Sequence, residues 1–150
     1  MSATVRDFMN PKLVYLREGD PAELALHPIL NFGITAVPVV DEDYRPVGIV
    51  SLRDLADPQR RGHRVSQPVE TISADAPISL AAVALSDADV HHLVVVDDKK
   101  RAVGMISTLD VIRAMLGIRA KHPRSITMFD GSEPQRTYAR DAGADQTSPR

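Results

Sequence analysis

The chain of 150 residues suits one compact domain or two small repeats that share a core, and is too short for a large multidomain enzyme. Hydrophobic residues at 43% and charged residues at 25% match a soluble globular protein. Aromatics at 4%, with no Trp, leave Val, Ile, Leu and Ala to build the core and offer few platforms for stacking single-stranded nucleic acid. A formal net charge of −2 gives no field to draw DNA or RNA, and zero cysteines remove disulfides, thiolate metal sites and cysteine nucleophiles, which fits a reducing compartment.

Residues 1–10 carry no long apolar segment, and nothing later approaches the roughly 20 apolar residues of a membrane span, so a cytoplasmic protein without a membrane partner is expected. Residues 13–16 form a short apolar run ending in turn-like residues, the first expected strand. Pro21 stands where helices begin, and a helix is expected from there to about Asn31, ended by Gly33 in the left-handed conformation. Pro28 lies inside that helix and should kink or shorten it, at about 3 kcal/mol if the helix were regular. The β-branched run at 36–40 is too brief for a helix and too continuous for a one-sided strand, hence a buried strand. Residues 41–45 are a polar hairpin connection, 47–50 return as a strand, and Leu52 leads into a closing helix. Residues 57–64 read as a polar, Arg-rich linker centred on 60–64, with Arg60, Arg61 and Arg64 as a solvated basic cluster.

The same order then recurs. Segment 36–54 reappears as 92–110 without insertion or deletion, Gly48 meeting Gly104 at an offset of 56 residues. Pro21 meets Pro77, Leu24 meets Leu80, Arg45 meets Arg101, and Ser51 and Asp54 meet Ser107 and Asp110. Shared secondary structure would align apolar positions, but not Gly, Ser and Asp at identical spacing, so the chain is an internal duplication. Its second half should give a strand at 69–72, a helix from Pro77 to about Asp87 ended at Asp89, strands at 93–96 and 103–106 around a connection at 97–101, and a helix after Thr108. The expected fold class is α+β: two tandem β-α-β-β-α repeats, at 1–59 with an N-terminal lead-in and at 65–117. A lone repeat would leave one sheet face bare, so the two should pack face to face with pseudo-twofold symmetry. After Leu116 the repeat pattern stops; 118–150 reads as a tail, disordered at least from 131, with Ile126, Met128 and Phe129 able to dock before it.

Chemistry concentrates at the strand-to-helix junctions, where Gly-x-x-Ser-x-x-Asp occurs twice. Ser-x-x-Asp is a capping box, in which Ser accepts from the helix start and the acid is favoured by the dipole. The same geometry suits a nucleotide, since exposed N–H groups attract phosphate and a carboxylate can accept both hydroxyls of a ribose. The two roles are compatible, though they cannot share one lone pair. Arg53, beside the phosphate position, is a candidate anion contact. His91 and His92 are adjacent on a strand and point to opposite faces, so they do not chelate one metal ion, and His27 and His63 are isolated. No nucleophile elbow, Walker loop or dinucleotide fingerprint occurs, and catalysis has no positive support.

Both repeats resemble cystathionine-β-synthase (CBS) domains, and together a CBS pair, or Bateman module. The resemblance runs from about Val5 to Leu116 and rests on Ala36-Val37-Pro38-Val39-Val40-Asp41 and His92-Leu93-Val94-Val95-Val96-Asp97, each followed at matching distance by the Ser-x-x-Asp motif. It implies that Asp54 and Asp110 bind a ribose diol and that Ser51 and Ser107 meet phosphate. It also implies that Ile34 and Thr35 face Met105, Ser107 and Asp110, while Val90 and His91 face Ile49, Ser51 and Asp54. His92 stands where relatives often carry an Arg near the phosphates, a substitution that weakens phosphate binding and makes it pH-dependent. The implied protein is a regulatory sensor, not an enzyme and without a required cofactor. Its ligand would be AMP, ADP, ATP or S-adenosylmethionine, and it would form a homodimer acting on an unidentified protein target. A ligand-free interaction module is the alternative reading; nucleic-acid binding, through Arg60, Arg61, Arg64 and the basic stretch 119–124, is a poorer third.

Overall fold

The structure, a computed structural model, describes residues 3–57 and 69–132. The linker at 60–64 and the tail beyond Ser132 lie outside the described residues. The first repeat comprises strand β1 (Lys12–Arg17), a 3-10 turn (Ala22–Ala25), helix α2 (Leu26–Phe32), strands β2 (Ala36–Val40) and β3 (Pro46–Ser51), and helix α3 (Leu52–Ala56), all preceded by a short helix α1 (Val5–Phe8). The second comprises β4 (Thr71–Ser73), α4 (Ile78–Ala88), β5 (His92–Val96), β6 (Ala102–Ser107) and α5 (Thr108–Met115), followed by β7 (Thr127–Asp130). The sheets run β3-β2-β1-β7 and β4-β5-β6, so each repeat has the expected hairpin, antiparallel, with its first strand added parallel to it.

The duplication extends to fine geometry. Both hairpins shift register at matching points, Val39/Val40 and Val95/Val96. Asp41 Oδ1 accepts from the amides of Asp43 and Arg45, and Asp97 Oδ1 from those of Lys99 and Arg101, so the carboxylate that opens each turn organises it. Tyr44 and Lys100 follow with φ of 63° and 67°, at equivalent positions. Gly33 and Asp89 end the first helices of their repeats in the left-handed conformation, as expected.

The α-helix that contains Pro28 is short, 7 residues against 11 for its counterpart, as expected. Residues 22–25 form a 3-10 turn, and a fresh α-helix begins at Leu26, which places Pro28 third in its first turn. Amides there have no intrahelical acceptor, so the missing N–H forfeits nothing. The matching residue in the second repeat is Ala84, and α4 runs unbroken for 11 residues.

Three apolar clusters form the core. One belongs to the first repeat, around Leu16, Ile29, Val37 and Val50. Another belongs to the second, around Ile72, Leu85, Leu93 and Ile106. The third lies between them, where Leu13, Tyr15 and Val40 meet Val94 and Ala102, and the Ala102 amide donates to Tyr44 O at 2.8 Å.

The chain ends behave less simply than sequence order implies. The lead-in, adjacent to the first repeat in sequence, packs on the second: the Val5 amide donates to Ala76 O and the Arg6 amide to Ala74 O, and Val5 and Met9 are buried against Ile72 and Ile106. After α5 the chain returns to the first repeat, where β7 pairs parallel to β1 and the Phe129 ring lies 6.1 Å from Phe32. Lys12 Nζ caps that aromatic pair, 4.2 Å from the Phe32 centroid. Of the three residues able to dock, Phe129 packs on Phe32, while Ile126 and Met128 remain substantially exposed.

Gly104 carries the contact between the lead-in and β6. A Cβ at this position would stand 2.7 Å from Asn10 O and 3.0 Å from Met9 Sδ, and Asn10 and Met105 exchange both backbone hydrogen bonds alongside. Gly104→Ala should therefore destabilise the protein by about 1–3 kcal/mol, read as a lowered urea midpoint with an unchanged slope.

Candidate ligand site

The two strand-to-helix junctions are nearly superimposable in their hydrogen bonding. In the first, Asp54 Oδ2 accepts from the Ser51 amide at 2.8 Å and from its hydroxyl at 2.9 Å, while Ser51 Oγ accepts from the Asp54 amide at 3.2 Å. In the second, Asp110 Oδ2 accepts from the Ser107 amide and hydroxyl at 2.9 Å each, and Ser107 Oγ accepts from the Asp110 amide at 3.2 Å. Both capping boxes are formed. One oxygen of each carboxylate is thus committed to holding the start of its helix.

The second junction has a further partner that no sequence pattern indicated. His122 Nε2 donates to Asp110 Oδ1 at 3.2 Å, and the Asp110 side chain is 6% exposed. Burial alone would raise the Asp110 carboxyl, but hydrogen bonds from His122 and from the Ser107 amide and hydroxyl outweigh it and hold the group below the usual carboxylate range. His122 lies twelve residues beyond Asp110 in a stretch without periodicity; a titratable residue in an otherwise unassigned segment was the sole hint.

The backbone before each buried strand is tied to its own repeat. Thr35 O accepts from the Leu52 amide at 2.9 Å, and His91 O accepts from the Thr108 amide at 3.0 Å and its hydroxyl at 3.3 Å. Ile34 and Val90 pack against the cores of their own repeats, whereas Ile49 and Met105 pack against the cluster between repeats. Arg53 is exposed on α3.

One polar contact joins the repeats here: Thr35 Oγ1 and His92 Nε2 share a hydrogen bond of 2.8 Å, and His92 lies opposite Ser107 in the β5–β6 ladder. Thr35 is thereby brought beside the second junction. Burial pushes the His92 imidazole below its ordinary value, neighbouring His91 adds to this, and Asp110 opposes it in part. Its neutral form is favoured, so at neutral pH it supplies a hydrogen-bonding group where an arginine would supply a fixed cation.

The pattern of the CBS domain matches residues 5–59 and again 64–117. The chain belongs to the CBS domain family. This CBS pair is 30% identical over 115 residues to homoserine O-acetyltransferase of Methanococcoides burtonii, a match covering 73% of this chain but 24% of that protein. It is 29% identical over 108 residues to an uncharacterized protein of Methanopyrus kandleri, covering 63% and 55% of the two chains. The chain therefore spans between about a quarter and about half of the length of these relatives.

Among solved structures, the CBS domain pair of protein MJ0100, in complex with 5′-methylthioadenosine and S-adenosyl-L-methionine, superposes with a TM-score of 0.71 at 24% identity, over 78% of this chain and 98% of that one. CBSX2 in complex with AMP gives 0.64 at 25% identity, over 76% and 96%. The cytosolic domain of the Mg2+ channel MgtE in complex with ATP gives 0.60 at 30% identity, over 70% and 46%. Among the described residues of this CBS pair, no helix is long and apolar enough to cross a membrane, and no group of three or more His, Asp or Glu could hold a metal ion.

Asp110→Ala removes the box from α5 and should cost about 1–2 kcal/mol at neutral pH. Because the carboxyl is held below its ordinary value of 3.8, the folded state binds fewer protons than the unfolded one; its contribution is full above 3.8 and is lost as pH falls through the lower folded value. Urea unfolding across that range should show a weaker acid dependence in the variant than in the wild type.

Proposed function

We propose that this CBS pair is a regulatory sensor, not an enzyme, that binds an adenosine-type ligand, AMP, ADP, ATP or S-adenosylmethionine, in the cleft between the repeats. The observation that carries the reading is the recurrence of Ser51 with Asp54 and of Ser107 with Asp110 in one geometry, each a carboxylate beside a helix start. Such a group accepts from the vicinal hydroxyls of a ribose while the helix N-terminus favours phosphate. Relatives with this fold bind AMP, as in CBSX2, and ATP, as in the MgtE cytosolic domain, which supports the ligand class. Ile49, Met105, Thr35, Val90 and His91 would line the base, and Ser51, Ser107, Arg53 and His92 would meet the phosphate of a nucleotide. Ligand occupancy biases the relative orientation of the repeats, and a partner protein reads the shift.

The cytoplasm is the proposed compartment, and a homodimer the proposed assembly. Leu80 and Val83 on α4 and Leu109 and Met115 on α5 are each more than half exposed and would be covered in it. The acetyltransferase activity of the longer relatives is not assigned to this chain, which spans 24% of such a protein.

A second reading is favoured by one observation: both oxygens of Asp110 already have partners within the chain. On that reading the pair is a ligand-free interaction module and the junctions are caps alone.

Titration calorimetry with AMP, ADP, ATP and S-adenosylmethionine separates the two. Binding at up to two sites is expected, with Asp54→Ala and Asp110→Ala each removing one while circular dichroism stays native. Absence of heat with all four ligands from folded protein would overturn the sensor in favour of the module. His92→Arg should strengthen ATP binding by about tenfold, since a charge-assisted hydrogen bond replaces a neutral one, and leave the affinity for a ligand without phosphate little changed.

A further inference from the structure

Resting on the ligand site proposed above, we infer that residues 117–126 form a displaceable strap whose His122 occupies the ribose position on Asp110, so that strap docking and ligand binding at the second junction exclude one another. Asp110 Oδ2 is held by Ser107, and Oδ1 accepts from His122. A vicinal diol needs Oδ1, and with the carboxylate 6% exposed it cannot reach that oxygen while the imidazole, itself 19% exposed, covers it.

The strap is built to move as a unit. Its start is a left-handed Gly117, φ 69°, where the Gly117 amide donates to Ala114 O and that of Ile118 to Arg113 O, closing α5. Its end is β7, whose first amide, Thr127, donates to Pro11 O. Among the described residues, no backbone hydrogen bond joins residues 119–126 to the body. Between the fixed ends it is held by His122 on Asp110 and by Arg124 on Asp7, an ion pair of 2.8 Å whose arginine is 80% exposed and therefore contributes little.

Between the strap and α1 lies a solvent-open cleft of about 480 Å³, walled by Asp7 and Phe8 on one side and by Arg119, His122, Pro123 and Arg124 on the other. A segment with so few body contacts belongs to the parts of a protein that open at low cost.

Two measurements on the full chain test this. In an Asp54→Ala background, which leaves the Asp110 site alone, His122→Ala should bind AMP about tenfold more tightly, because a site blocked nine-tenths of the time loses that factor in apparent affinity. His122→Gln, whose amide can still donate to the carboxylate, should restore part of the block. In the wild type, which avoids any loss of fold from the Asp54 substitution, saturating AMP should speed tryptic cleavage after Arg119, Lys121 and Arg124 severalfold, with sites read by mass spectrometry. Unchanged or weaker AMP binding by His122→Ala, or slower cleavage of the strap with AMP, would overturn the strap and leave the sensor standing. No AMP binding by the wild type or either variant would remove both.

Discussion

Each repeat has a small sheet with two faces and helices enough for one, and the open face must be covered by the other repeat. The helices close one side over Leu16, Val37 and Val50 in the first repeat and over Ile72, Leu93 and Ile106 in the second. The remaining sides meet through Leu13, Tyr15, Val40, Val94 and Ala102. Full burial of an aliphatic side chain contributes about 1.5–3 kcal/mol, so this shared cluster is comparable to the whole net stability of a small domain. It explains why β2 is buried at all five positions and β5 at four, and it places the strand-to-helix junctions along the seam.

The chain ends reinforce the same seam from opposite directions. The lead-in before the first repeat lies on the second, and the segment after the second repeat returns to the first as β7. Gly104 permits the first crossing by yielding its side-chain space to Asn10 and Met9. The second crossing is fastened by Phe129 on Phe32, by Lys12 over both rings, and by the ion pair of Arg17 with Asp130. Neither repeat contains all of its own packing, so a change in how the repeats sit must be felt at α1 and at β7.

Much of this was legible in the chain because duplication writes the same local solution twice. The β-branched runs of β2 and β5, the turn carboxylates Asp41 and Asp97, the helix-ending Gly33 and Asp89, and the Ser-x-x-Asp caps all rest on interactions within a few residues. Pro28 signalled a shortened helix, but where the shortening falls depends on the 3-10 turn before Leu26, which moves the α-helical start. β7 and His122 were invisible for a different reason. A four-residue strand and a lone histidine have no period; the place of the strand is set by β1, more than a hundred residues earlier in the chain, and that of the histidine by Asp110, twelve residues before it. Family resemblance placed Thr35 near the second junction but held no information on its bond to His92, which depends on the histidine particular to this chain.

The ambiguity between cap and ligand site narrows once the carboxylate oxygens are considered separately. Oδ2 of Asp110 faces inward along the motif and is saturated by the Ser107 amide and hydroxyl, the geometry of a cap. Oδ1 faces away from the motif and takes a donor from a distant part of the chain. Burial by itself would favour the neutral form of this carboxyl and shift its pKa upward, so the anion relies on this second donor as well as on Ser107. Together these donors hold the carboxyl below its ordinary value, with His122 the foremost of the groups opposing desolvation. An anion kept charged in a nearly dry setting, with one oxygen fixed and the other accepting from outside, can exchange that outer donor for the hydroxyls of a sugar without surrendering the cap. The two roles then divide one side chain between its two oxygens, and α5 keeps its N-terminus through either state.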